Sequence, residues 1–174
     1  MKLQFFGKNL NLFFPITIII IFLVVFVWLF AFFGQGDNVY VTLSDYFYVS
    51  LKVSVAPLLN NMQALDEAQH TLVPYNGILF PKTYVRAIEG DSVFDILLRE
   101  MTAANIHLAF RNMPFYNSAY INGIGNIFEF DAGPLSGWMY TVNNYFPGIG
   151  VSQKIVSPSY DILLIYSLEM GNDL

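Results

Sequence analysis

The run LFFPITIIIIFLVVFVWLFAFF, Leu12 to Phe33, contains no charged residue. About 22 residues in a helix extend roughly 33 Å, enough to cross a ~30 Å hydrocarbon layer. A soluble helix of that length would have to be apolar on every side. The run is therefore read as a membrane span. Lys2 and Lys8 precede it, whereas Asp37 and Asp45 follow it and the next base is Lys52. Positive charge stays on the cytoplasmic side, which puts residues 1–11 inside and the remainder outside. A cleaved signal peptide is the competing reading, with Gly34-Gln35-Gly36 as its small-x-small site. Signal h-regions are typically ~7–15 residues, so the length favours an uncleaved anchor over 12–33, followed by a linker at 34–38.

The outer part, 39–174, is the size of one domain. Six of the eight bases and all thirteen acids lie beyond the apolar run, a formal charge of −7. Nucleic acid would require a basic patch, so it is excluded as a partner. The chain has no cysteine, which removes disulfides and thiolate metal sites. The domain must hold together by its core.

Periodicity outlines an α+β fold. In Tyr46–Val55, Phe47, Val49, Leu51, Val53 and Val55 alternate with Tyr46, Tyr48, Ser50, Lys52 and Ser54, the pattern of a half-buried strand. Leu58, Met62 and Leu65 are spaced for a helix that begins at Pro57. Residues 74–77 read as a turn and 83–88 as a strand. GDSVFDILLREMTAAN carries a Ser92/Asp95 capping box and an apolar stripe of Phe94, Leu97, Leu98 and Met101. Strands are expected at 106–111, IFEFD, GWMYTV and DILLIYSLEM, the last apolar on both faces and so central. The order predicts a mixed sheet packed on one main helix.

Catalytic patterns are lacking: the chain has no G-x-S-x-G, P-loop or dinucleotide fingerprint, and an enzyme is not expected. His70 and His107 read as surface residues. Glu129 and Asp131, at alternate positions of an expected strand, read as a solvated face, and no metal site is assigned. Ser136 reads as a turn residue. More informative is DAGPLSGWMYTVNNYFPGIG, where large aromatics sit beside turn residues. Asn143-Asn144 suits a tight turn with positive φ. Trp138 and Tyr140 brace the hairpin. Tyr145 and Phe146 lie beyond the turn, where burial is hard to arrange, and rigid aromatics outside a core are the usual material of contact surfaces. The candidate ligand-binding set is Trp138, Tyr140, Asn143, Tyr145, Phe146 and Tyr120, flanked by Tyr116 and the loop NSAYINGIGN.

GDSVFDILLRE, followed by YNSAYINGIGNIFEFDAGPLSGWMYTVNNYFPGIG, closely resembles a domain of uncharacterised function common in surface proteins of Gram-positive bacteria. That domain is similar to the C-terminal β-domain of transcobalamin and intrinsic factor. The resemblance implies a β-grasp-like fold and suggests cobalamin or another corrinoid as ligand. The vertebrate relatives clasp cobalamin between this domain and a helical one that is missing here. Relatives often carry cysteines where this chain has Ser54 or Val55, and Ala132, and Gly-Asp where it has Tyr160-Asp161. The expected function is thus a membrane-anchored extracellular ligand-binding domain that captures a corrinoid as an accessory to uptake. The alternative is a protein–protein module of the envelope, docking to a second envelope or transporter protein. No cofactor beyond that ligand is expected.

Overall fold

The computed structural model describes residues 18–19, 21–29 and 45–174. The chain divides into two units, Met1–Val41 and Thr42–Leu174. Of the first, residues 18–19 and 21–29 are helical and exposed. Among the described residues no helix is long and apolar enough to cross a membrane. Half of the expected span at 12–33, and all of 1–11 and 34–38, lie outside the described residues.

The second unit is α+β. Seven strands run β1 Tyr46–Ser54, β2 Ile78–Ile88, β3 Leu108–Met113, β4 Ser118–Ile124, β5 Ile127–Phe128, β6 Gly137–Val142 and β7 Asp161–Ser167, with one α-helix, α1 Val93–Ala103, after β2. The strands form two sheets, in order β2-β1-β7-β6 and β3-β4-β5. The first is mixed: β1 and β7 are parallel, and the other pairs antiparallel. This is the sheet the alternation anticipated, with β7 in its interior. The single-sheet expectation is corrected by β3, β4 and β5, which pair with one another instead.

The core lies on one face of the larger sheet. Val49, Leu51 and Val53 of β1, Val85 and Ala87 of β2, and Ile162 and Leu164 of β7 meet Val93, Ile96, Leu97 and Met101 of α1 and Ile121 and Ile124 of β4. The capping box is present: Ser92 Oγ accepts from Asp95 N at 3.2 Å, and Asp95 Oδ2 accepts from Ser92 N at 2.8 Å. The buried stripe sits slightly off the expected one. Val93 and Ile96 point inward, Phe94 is partly buried against Phe110, and Leu98 is partly exposed.

Four further expectations are corrected. Residues 56–72 form three short 3₁₀ segments, not a helix. Asn61 breaks the run: its amide donates to Pro57 O, and its backbone N–H closes a tight turn on Leu58 O. Strand β2 begins five residues early, and Pro81 is tolerated within it because β2 is an edge strand where no inner partner needs its N–H. IFEFD is strand only at 127–128, because Phe130 takes φ +71° and the chain turns. NSAYINGIGN is mostly strand β4, not a flexible loop.

The turn before β7, Ser157–Tyr160, closes locally. Tyr160 N donates to Ser157 O at 3.2 Å, and Ser159 takes φ +65°, the position a type II turn reserves for glycine. A left-handed non-glycine residue costs ~1–2 kcal/mol, against the ~0.5–1 kcal/mol of chain entropy that glycine adds. Ser159→Gly is therefore expected to stabilise the domain by up to about 1 kcal/mol, read as a raised denaturant midpoint; a lowered one would contradict this account of the turn.

Asp161 ties three strands together. Its carboxylate accepts from Lys82 at 2.8 Å and from Ser50 Oγ at 2.5 Å. The Lys82 hydrogen bond, then that of Ser50, holds its pKa below the usual carboxylate value. The folded value being depressed, the contribution is fully present above the unfolded value of ~3.9 and is lost as pH falls through the folded one. Asp161→Asn should flatten the acid limb of stability against pH. An unchanged limb would show that the link is energetically idle.

Candidate functional site

Two loops meet beside the end of the larger sheet. The first follows β6. Asn143 and Asn144 have φ of +53° and +65°, and Val142 and Tyr145 exchange backbone hydrogen bonds of 2.9 and 3.1 Å across the turn. The Asn143 side chain is committed to this geometry: Oδ1 accepts from Asp161 N at 2.9 Å, while its backbone N–H donates to Asp161 O. Beyond the turn Tyr145 is 78% exposed, with Phe146 and Ile149 about half exposed. Tyr140 holds the returning chain by donating its hydroxyl to Ile149 O at 2.7 Å.

The second loop is the β3–β4 turn, where Asn117 adopts φ +44° and Phe115 is wholly exposed. The two loops touch. A side chain at Gly150 would collide with Ser118, and Ser152 Oγ accepts from Ala119 N at 3.1 Å. The exposed rings of Phe115, Tyr145 and Phe146 thus stand on segments fixed to the same strand, β4.

Beneath the loops β4 and β6 line a depression of about 130 Å³ whose walls include Tyr120, Ile121, Trp138, Met139, Tyr140 and Val151. Trp138 is half buried, its Nε1 donating to Ile127 O at 2.9 Å and its ring set edge-on to Tyr166 at 5.4 Å. Tyr120 donates to Glu129 at 2.6 Å and carries the Arg111 guanidinium 4.7 Å above its ring. Burial, then the Glu129 bond, pushes the Tyr120 phenol up to about 12, and burial alone does the same for Tyr140. Both remain neutral donors at ordinary pH.

Three of the expected site residues, Trp138, Tyr140 and Tyr120, come together in this depression. Tyr145 and Phe146 stand exposed in the adjoining loop, and Asn143 serves the turn. Reading the sequence missed Phe115 and Ile149. The signal for Phe115 was Pro114 before two aromatics, a turn whose rings have no strand to alternate on.

Other candidates are structural. Ser136 Oγ is buried between Gly133 O and the Tyr166 hydroxyl. Glu129 and Asp131 do not share a strand face: Glu129 serves Tyr120, Asn122 and Arg111, and Asp131 accepts from Gln69 and Phe128 N. Among the described residues no three His, Asp or Glu side chains converge as metal ligands.

The fold and site thus define an α+β domain that carries its exposed aromatics on loops braced by two sheets. Residues 90–167 match the model of a family described as a domain of unknown function (DUF4430), which bears out the resemblance read from the motifs. No curated protein matches the chain. Among solved structures, haptocorrin in complex with cobinamide (Cbi) is similar at a TM-score of 0.53 and 12% identity, over 71% of this chain and 25% of that one. The chain therefore spans about a quarter of haptocorrin's length. A protein from Ruminococcus gnavus ATCC 29149, provisionally described as metal binding, aligns at a TM-score of 0.42 and 10% identity, over 70% of this chain and 96% of that one.

Proposed function

We propose that this domain binds a bulky amphipathic ring ligand of the corrinoid class on the aromatic rim formed by Phe115, Tyr145 and Phe146, above the depression of Trp138, Tyr140 and Tyr120. The observation that carries the reading is the exposure of these rings on two touching, well-braced loops. Rigid aromatics offer contact area at small entropic cost. Haptocorrin, whose fold is similar, holds cobinamide, and this suggests the ligand class. The scaffold is β-grasp-like, and the role is capture without catalysis. The charge-free run 12–33 anchors the protein in the bilayer with the domain outside, as an accessory to uptake.

The depression is well below the ~300–1,000 Å³ of enclosed small-molecule sites. The ligand therefore lies on an open face, which a second envelope or transporter protein would close. The same openness favours a second reading, a docking surface for a protein with no small ligand. Equilibrium dialysis of the full chain in detergent against cobinamide and cobalamin separates the two. Saturable retention supports capture; none up to ~1 mM, the weak end of useful affinity, leaves the docking reading.

A further inference from the structure

Next to the aromatic rim, on the other side of Ala119, is a second and larger concavity of about 230 Å³. Asn112, Met113, Pro114, Asn117, Ser118 and Ser152 line it, and none of its lining residues is charged. The carboxamides of Asn112 and Asn117 have no hydrogen-bond partner among the described residues. Phe115, between the lining residues Pro114 and Asn117, is wholly exposed.

We propose that this concavity is a binding site for a neutral saccharide unit bearing hydroxyl or acetamide groups. Each free carboxamide presents two donors and an acceptor side by side. A ligand that only accepts or only donates would use half of that capacity and leave the other half to water. Hydroxyl and acetamide groups do both, so they satisfy it. A carboxylate would meet no cation in the lining and the field of a domain with six bases and twelve acids, a formal charge of −6, and a cation would find no carboxylate. Phe115, Pro114 and Met113 supply an apolar surface for the C–H face of a sugar ring. The volume, below that of drug-sized sites, suits one ring and not a large cofactor. Asn117 also holds the left-handed backbone that shapes the wall, at φ +44°, a conformation asparagine tolerates. This site borders the rim and shares Phe115 with it, but does not depend on capture of a ring ligand by Tyr145 and Phe146.

The test is amide NMR of the full chain in a sugar-free zwitterionic detergent, titrated with N-acetylglucosamine, its β-1,4-linked disaccharide and, as a charged control, glucuronic acid. The expected result is saturable shifts confined to residues 112–119 and 152, with affinity in the ~mM range, and no response to glucuronic acid. Phe115→Ala and Asn112→Ala, both at exposed positions, should each weaken the response about tenfold or more, a loss of ~1.4 kcal/mol. Tyr145→Ala/Phe146→Ala should leave it unchanged, which separates this site from the rim. Absence of shifts, equal response to glucuronic acid, or shifts that survive both Phe115→Ala and Asn112→Ala would each overturn the proposal.

Discussion

Tyr166→Ala is expected to lower the unfolding free energy of the domain by about 3–5 kcal/mol. Tyr166 is fully buried on β7, and its ring fills the centre of the second core cluster with Val55, Leu58, Leu65 and Ile127. The hydroxyl donates to Phe128 O at 2.7 Å and is 2.9 Å from Ser136 Oγ. Truncation therefore opens a cavity and removes both hydrogen bonds, although Ser136 Oγ keeps Gly133 O and Ala132 N, and Phe128 O keeps Asp131 N. Tyr166→Phe separates these effects: it keeps the ring and loses only the hydroxyl's hydrogen bonds, at about 0.5–1.5 kcal/mol each. Against a typical total of ~5–15 kcal/mol, the alanine variant sits near the edge of folding. Denaturant unfolding of the three proteins checks the order, wild type above Phe above Ala. The effect reaches the site, since Trp138 rests edge-on against this ring. A variant that still folds should show an altered environment for Trp138.

The second large effect is on binding. Tyr145→Ala/Phe146→Ala should weaken corrinoid affinity about 10–100-fold, equal to ~1.4–2.8 kcal/mol, the range of an aromatic contact pair. Stability should change little, by about 0.5 kcal/mol or less, as is usual for exposed side chains. Tyr145 is 78% exposed; Phe146 touches the surface near Met139 and Gly171 without entering the core. Tyr75→Ala, at the exposed turn between Leu72 and β2, is the control and should bind as wild type. Loss of affinity with unchanged unfolding marks contact; loss of both would mark Tyr145 and Phe146 as structural.

What the sequence made legible was local and periodic. Strand β1 announced itself by alternation, α1 by its capping box and β7 by being apolar on both sides, and each stands where that pattern placed it. The failures come from non-local facts. Leu58 and Leu65 are buried as the spacing suggested, yet by separate 3₁₀ turns that the Asn61 side chain imposes. The split into two sheets follows from β3 pairing with β4 across a tight turn, which no period reveals. Val55 and Ala132, far apart in sequence, pack in one apolar cluster, a contact that no local pattern announced. At the site, Trp138, Tyr140, Tyr145 and Phe146 were legible because large rings beside turn residues are hard to bury. Asn143 drew notice for the same turn, but its amide is spent on Asp161. Phe115 was hidden because its exposure depends on where the β3–β4 turn ends up relative to the 143–152 loop.

The most direct test of the aromatic rim as a capture surface is a calorimetric titration of cobinamide into the full-length protein in detergent, wild type beside Tyr145→Ala/Phe146→Ala. The account predicts a saturable isotherm for the wild type and one weakened at least about tenfold for the variant. Identical isotherms for the two proteins, or no heat from the wild type up to ~1 mM ligand, would contradict it.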